Sequence, residues 1–262
     1  MKIKFYQSHW FNIDLQEIAN CCGHSSNKVA DQKFYEIVYE HLLYNNFNSI
    51  SQNWINKKNI LSNYLVEFFE NNQLKDSKIL SVGCGFGVVE QPLIQANFKI
   101  DLQECQEISI KYMQSNFLED FKKVHFINSL DLKEINDHNY NVAMAITSTY
   151  CLTDQILKKF LESIYRIINK NGFFIWYETA LSLNDVLNFL KMKIRNVKPH
   201  GVLWGWKRSV NTLIKEASKV GLNLVSSCYF DENNKIIYPK KIMSLPVGKN
   251  IAWQMMVFKK ND

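Results

Sequence analysis

Three of the nine glycines fall within five residues, at Gly83, Gly85 and Gly87 of Gly83-Cys84-Gly85-Phe86-Gly87. Glycine lets a backbone pass close to a ligand with no Cβ in the way. The turn follows the apolar run Lys78-Ile79-Leu80-Ser81-Val82 and precedes a helical stretch, Val88 to Ala96. An open α/β sheet takes its ligand at such a place, outside the carboxyl ends of its strands. A dinucleotide turn reads G-x-G-x-x-G, and Val88 stands where its last glycine belongs. The G-x-G-x-G spacing suits a ligand that lacks a pyrophosphate and lies across the turn. The plain alternative is a tight strand–helix turn with no ligand.

Glu104 adds a second group. It ends the next strand-like run, Phe98 to Cys105. A carboxylate there can accept two hydrogen bonds from the ribose hydroxyls of an adenosine ligand, and its charge strengthens both. The competing reading is a solvated acid at a helix N-terminus. Asp101 is a rival, but the alternation of Phe98, Ile100 and Leu102 sets it on the other face, before the strand ends.

These groups need a frame. Further strand-like runs are Val124 to Ile127, Val142 to Thr147, Gly172 to Glu178, Leu222 to Ser227 and Ala252 to Lys259. Helical stretches separate them at Glu107 to Phe117, Thr153 to Asn169 and Val210 to Val220. Alternating strand and helix predicts an α/β fold with a doubly wound, mainly parallel, seven-stranded sheet. The helix from Asp154 carries an apolar stripe, with Ile156, Leu157, Phe160, Leu161, Ile164, Tyr165 and Ile168 on one face. Asn171-Gly172 should stop it, the glycine taking a positive φ. Residues 1–72 read as an N-terminal helical cap or lid. Asp31 is the expected cap of one helix and Asn45-Asn46-Phe47-Asn48 a turn. Residues 73–262 then form the sheet domain, interrupted at about 181–208 by an insertion. The insertion is expected to hold a helix, Val186 to Ile194, and a loop with Pro199, His200, Gly201, Trp204, Gly205 and Trp206.

Over roughly residues 75 to 180 the chain resembles the class I S-adenosylmethionine-dependent methyltransferases, Rossmann-like enzymes, in their small-molecule branch. The resemblance rests on Ile79-Leu80-Ser81-Val82 with its glycine turn, on Glu104, on Tyr140 to Ile146, and on Asn171-Gly172-Phe173-Phe174-Ile175. It implies S-adenosyl-L-methionine as cofactor and S-adenosyl-L-homocysteine as product. It implies further that Gly83, Cys84, Gly85 and Gly87 line the methionine part and that Glu104 holds the ribose. Asn128, Ser129 and Leu130 would contact adenine, and Thr147 and Ser148 would border the methyl donor. Ser81 is also counted among the cofactor contacts, but it departs from the family, which usually carries an acid there, so the expected recognition of the methionine amine is atypical.

Methyl transfer from a sulfonium is an in-line displacement that needs alignment and exclusion of water. A hydroxyl acceptor also needs a base. His200 is the base candidate, because imidazole takes a proton near neutral pH; the alternative is a surface histidine. Glu178, ending the fifth strand, and Tyr150, just past the fourth, are the other catalytic candidates. Trp204 and Trp206 could wall an acceptor pocket, and Arg208 could bind an acidic group on the acceptor. Core packing is the plain alternative for the aromatics. Thr147-Ser148-Thr149-Tyr150 lacks the N/D/S-P-P-Y/F motif of enzymes acting on base amines, and no proline precedes Cys151 as in cytosine enzymes. The expected acceptor is therefore a small molecule or glycan-like group, methylated at oxygen, rather than nucleic acid. Alternatives are N-methylation of a metabolite, protein or RNA, a nucleotide-dependent oxidoreductase, and a non-catalytic adenosine-binding module.

Composition removes other classes. The net charge of +6 is spread along the chain, without the basic patch of a nucleic-acid binder. No apolar run approaches the roughly 20 residues of a membrane span, and the first ten residues carry no secretory-type apolar stretch. The six cysteines show no C-x-x-C pair or zinc spacing, so no metal is expected. Scattered thiols fit a cytoplasmic location.

Overall fold

The chain begins as extended backbone, not as helix. β1 (Lys2–Gln7), β2 (His9–Trp10) and β3 (Ile13–Asp14) precede α1 (Leu15–Cys22). Phe11 and Asn12 adopt left-handed φ values of 49° and 63° and turn β2 into β3. Asp14 then caps α1, accepting from the N–H groups of Gln16 and Glu17. α2 (Gln32–Tyr44) starts where the sequence indicates, with the Asp31 carboxylate accepting from the Phe34 N–H at 3.1 Å. Ser51 caps α3 (Gln52–Asn71). This computed structural model describes residues 1–25, 27–117, 126–127, 132–237, 245–247 and 250–261.

The alternating part runs β4 (Lys78–Val82), α4 (Glu90–Gln95), β5 (Lys99–Gln103), α5 (Glu107–Asn116), β6 (Phe126–Ile127) and β7 (Tyr140–Ile146). It continues with α6 (Asp154–Ile167), β8 (Ile168–Thr179), α7 (Leu183–Ile194), β9 (Val202–Arg208), α8 (Val210–Ser218), β10 (Leu222–Asp231), β11 (Ile236–Ile237) and β12 (Ile251–Lys260). The main sheet has the order β11-β10-β12-β8-β7-β4-β5-β6. It contains the seven expected strands, with the two-residue β11 added at one edge. β6, β5, β4, β7 and β8 are parallel; β12 lies antiparallel between β8 and β10, so β10 runs with the parallel strands and β12 alone of the seven is reversed.

Two apolar layers sandwich the sheet. On one face α6 buries Leu157, Leu161, Ile164 and Ile167, each worth roughly 1.5–3 kcal/mol, against Phe174, Trp176 and Phe258. Ile156, on the expected stripe, stands half-exposed at its rim. On the other face α3 contributes Leu61, Leu65 and Phe69 beside Ile79, Val142 and Val257. The expected helical cap therefore divides. α3 is a layer of the sheet domain, whereas α1 and α2 join a separate cluster with Phe86, Val202 and Trp204.

Two other expectations change. The helix ends at Ile167, and β8 already includes Asn171-Gly172. Asn171 takes the left-handed backbone, φ 59°. Gly172 is needed for space instead, since a Cβ would lie 2.9 Å from the Asn141 carbonyl oxygen. The expected loop after α7 is strand β9, which pairs antiparallel with β1 from Lys2↔Arg208 to Gln7↔Val202. Its alternation was masked because its partner lies at the far end of the sequence. At Gly201 a Cβ would approach the Gln7 carbonyl oxygen to 2.3 Å, so the glycine lets the two strands close together.

Candidate active site

β4 and β7 are neighbours, yet the chain leaves β4 toward β5 on one side and leaves β7 toward β8 on the other. Such a switch point opens a crevice beyond the strand ends, and a cavity of about 800 Å³ fills it.

One half of the cavity is built from the turn after β4. Gly83, Gly85 and Gly87 have φ of 66°, 58° and 68°, backbone that side chains rarely adopt. At Gly83 a Cβ would lie 2.6 Å from that of Ser148; at Gly85 it would meet only the Tyr39 hydroxyl, at 3.9 Å. Gly83, Cys84 and Gly85 line the cavity. Gly87 stands behind them and closes the turn, its N–H donating to the Cys84 carbonyl at 3.1 Å. Glu104 lines the cavity just after β5. Its Oε2 accepts from the Gly85 N–H at 2.7 Å, and its Oε1 accepts from the N–H groups of Cys105 and Gln106 at 2.8 and 2.9 Å. Burial raises its pKa and these backbone bonds oppose the rise. The carboxylate is thus fixed to the turn it faces. Asp101 has a structural task, accepting from the Tyr140 hydroxyl at 2.7 Å.

Thr147 and Ser148 line the cavity at the end of β7. The Thr147 N–H donates to the Tyr177 carbonyl and the Ser148 hydroxyl to the Val82 carbonyl, at 2.7 and 3.0 Å. Ser81 is fully buried and reaches the cavity through a neighbour: its hydroxyl donates to Glu90 Oε1 at 2.7 Å. Glu90 is a wall residue, and its Oε2 has no hydrogen-bond partner. Burial pushes its carboxyl up to about 7, against the Ser81 bond. Asn128, Ser129 and Leu130 lie outside the described residues.

The other half is aromatic. Trp10, Tyr35, Tyr39 and Trp204 line it, with Phe5 and Gln7 of β1. Trp10 contacts Tyr39 and Trp204 at ring separations of 5.7 and 5.5 Å, and Tyr35 lies 4.9 Å from Trp204. The Tyr150 hydroxyl accepts from the Tyr35 hydroxyl at 3.2 Å and from Trp204 Nε1 at 3.0 Å. Burial pushes the Tyr150 phenol well above its ordinary value, so it stays protonated at neutral pH and serves as a donor rather than a base. Glu178 is buried behind the wall. Its Oε2 accepts from the Thr149 hydroxyl at 2.7 Å, and Thr149 is the residue that faces the cavity. Burial raises Glu178 to about 7.

Three expected site residues stand elsewhere. His200 is exposed before β9, near Asp14, and is not part of the wall. Trp206 and Arg208 share the face of Trp204 but lie further along β9, at roughly 3.3 Å per residue. Trp206 stacks against Lys2 at 5.7 Å, and the buried Arg208 donates to the Leu152 carbonyl and to Asp154. Arg208 thereby anchors the segment leading into α6.

Conversely, Glu90, Lys58, Trp10 and Trp253 are wall residues that the sequence reading passed over. A signal existed for two of them. Glu90 is an acid in the first turn after the glycines, where Ser81 had left an acid missing. Lys58 interrupts the apolar spacing Trp54, Leu61, Leu65 on α3.

No family model matches the chain, and no curated protein is similar to it in sequence. Solved structures are similar in fold. A Burkholderia thailandensis 1,6-didemethyltoxoflavin-N1-methyltransferase, bound to 1,6-didemethyltoxoflavin and S-adenosylhomocysteine, aligns over 87% of this chain and 88% of its own, with TM-score 0.59 and 10% identity. Magnesium protoporphyrin IX methyltransferase from Synechocystis PCC 6803 covers 80% and 84%, with TM-score 0.55 and 12% identity. A SAM-dependent methyltransferase from Archaeoglobus fulgidus covers 78% and 94%, with TM-score 0.53 and 16% identity. The chain has the Rossmann-like fold of class I S-adenosylmethionine-dependent methyltransferases.

Proposed function

We propose that this protein binds S-adenosylmethionine and transfers its methyl group to a small-molecule acceptor with a flat, apolar body. The observation that carries this reading is one continuous cavity, walled at one end by the Gly83–Gly85 turn and Glu104 and at the other by Trp10, Tyr35, Tyr39 and Trp204. The chain's residues fit the cofactor: the turn is free of side chains, and Glu90 and Glu104 are buried carboxyls facing the cavity. When bound, the cofactor supplies an electrophilic sulfonium methyl group.

In this reading Glu104 takes a ribose hydroxyl through the lone pair on Oε2 that its backbone bonds leave over. Asn128, Ser129 and Leu130 stay the proposed adenine contacts. Ser148 ties the end of β7 to β4 and Thr147 ties it to β8, both beside the reacting methyl. The aromatic wall positions the acceptor and excludes water, and the Tyr150 hydroxyl donates to a polar atom on it. Among the described wall residues the phenols of Tyr35, Tyr39 and Tyr150 are all held protonated by burial. Glu178 is reached only through Thr149. This favours a nucleophile that arrives with a free lone pair, an amine nitrogen or an oxygen already ionised, over a neutral hydroxyl needing His200 as base. The six unpaired thiols fit action in the reducing cytoplasm.

Calorimetry with S-adenosylhomocysteine and with NAD tests the cofactor. Micromolar binding of the first and none of the second is expected. Transfer of labelled methyl from S-adenosylmethionine to a panel of flat amines and carboxylates tests the acceptor. No binding of S-adenosylhomocysteine at millimolar concentration would sink the proposal.

A further inference from the structure

The cavity wall holds an acid and a base that the fold leaves incompletely partnered. Glu90 is 1% exposed and bonded to Ser81 through one oxygen only; the other has no partner. Lys58 approaches from α3. Its Nζ lies 5.6 Å from the Trp54 ring and 5.8 Å from that of Trp253, and it makes no ion pair or hydrogen bond with any described residue. Each feels the other's charge, yet no ion pair joins them. Both line the same cavity beside the Val82-Gly83-Cys84 turn.

A lone buried carboxylate or ammonium is costly unless it meets its opposite. Here a buried carboxyl and a half-buried ammonium are held apart on the wall of one cavity. The ligand chemistry that satisfies both at once carries an ammonium and a carboxylate on neighbouring atoms. We propose that Glu90 and Lys58 form a receptor for an α-amino-acid zwitterion, Glu90 binding the ammonium and Lys58 the carboxylate. Resting on the proposed function, the zwitterion is the methionine end of the cofactor. Ser81 then orients Glu90 and does not touch the ligand. The two indoles hold the lysine stem and leave its ammonium free to turn toward the cavity.

The charges around the pair agree. Burial raises Glu90 to about 7, with Lys58 opposing and Glu104 adding to the rise; Cys84 is the other titratable group that senses this acid. Burial lowers Lys58 to about 8, with Glu90 and Glu178 opposing. An ammonium beside Glu90 draws its proton off, and a carboxylate beside Lys58 fixes its charge.

The test compares two ligands on three proteins. S-adenosylhomocysteine carries the zwitterion; 5′-methylthioadenosine keeps the nucleoside and lacks it. Calorimetry is run on the wild type, Glu90→Gln and Lys58→Met. Each variant should lose about tenfold or more in S-adenosylhomocysteine affinity, the worth of one charge-assisted hydrogen bond. Each should bind 5′-methylthioadenosine as the wild type does, which also shows that it is folded. At pH 6 the wild type should release a proton on binding S-adenosylhomocysteine, read from buffers of different ionisation enthalpy, and Glu90→Gln should not. Wild-type affinity for S-adenosylhomocysteine in either variant overturns the receptor, as does equal loss of both ligands. If the wild type binds neither ligand, the proposed function itself has failed, and the receptor with it.

Discussion

The two halves of the cavity are made in different ways. The glycine-turn half, the proposed cofactor end, is local. Its turn, Gly83–Gly87, and Glu104 come from consecutive elements, and the carboxylate is tied to the turn by a single bond to the Gly85 N–H. The acceptor half is assembled from β1, the β2–β3 hairpin, α2, the segment after β7 and β9. Its central hydrogen bonds, from Tyr35 and Trp204 to Tyr150, span 115 and 54 residues of sequence. Local backbone geometry serves a ligand that is always the same. A wall drawn from scattered segments can change its ligand by changing side chains, without disturbing the turn.

The sharpest break between the halves is Glu104→Ala. It removes the proposed ribose acceptor, and a hydrogen bond to a charged group is worth about 1.5–3 kcal/mol. Its loss should weaken S-adenosylhomocysteine by about 100-fold by calorimetry, toward the upper end of that range; an unchanged Kd would remove Glu104 from the proposed cofactor end. Gly205→Ala probes the other side. Its Cβ would sit 2.4 Å from the Tyr150 carbonyl oxygen, a backbone atom that cannot step aside. The acceptor KM should rise about tenfold while cofactor affinity stays within twofold, as a shift of roughly 1 Å suffices for losses of this order. If cofactor affinity falls equally, the halves are one unit. Trp204→Phe keeps most of the ring area and deletes one donor to Tyr150. A threefold to fivefold rise in acceptor KM is expected, from one neutral hydrogen bond of about 1 kcal/mol.

The smallest effect is on pH dependence. Glu90 and Glu178 ionise near 7 in the fold, against 4.5 ordinarily. A carboxyl whose pKa is raised on folding contributes stability that is whole below the unfolded value and lost as pH rises through the folded one. The Tm of the unliganded protein should therefore decline from about pH 4.5 to just above 7. Glu178→Gln should flatten part of that slope. Lys58, lowered to about 8 by burial, acts in the opposite sense at higher pH, where stability returns as it loses its charge. A Tm that does not fall over the first window would contradict the buried placement of both acids.

The same contrast explains what could be read from the sequence. β4 is found at its expected bounds, and Asp31 caps α2, because turns and caps are decided by near neighbours. Glu104 was legible for that reason. β9 was not. Pro199, His200, Gly201 and Gly205 beside Trp204 and Trp206 read as a loop until β1 is laid beside them. His200 looked catalytic by residue type alone, and its exposure follows from a pairing the local sequence does not contain. Glu90 was legible only as an acid in a helical turn, because its bond to Ser81 depends on how α4 lies over β4.

The β1–β9 ladder also orders events in time. Lys2 pairs with Arg208, and the N-terminal ammonium reaches Ser209, 208 residues away in sequence. A ribosome emits β1 before β4, but its partner β9 emerges only after the glycine turn and Glu104 have been made. Contacts that close so long a loop form late. A nascent chain therefore completes the glycine-turn floor of the cavity while its aromatic roof is still missing, and a strand synthesised before that floor is among the last to find its place.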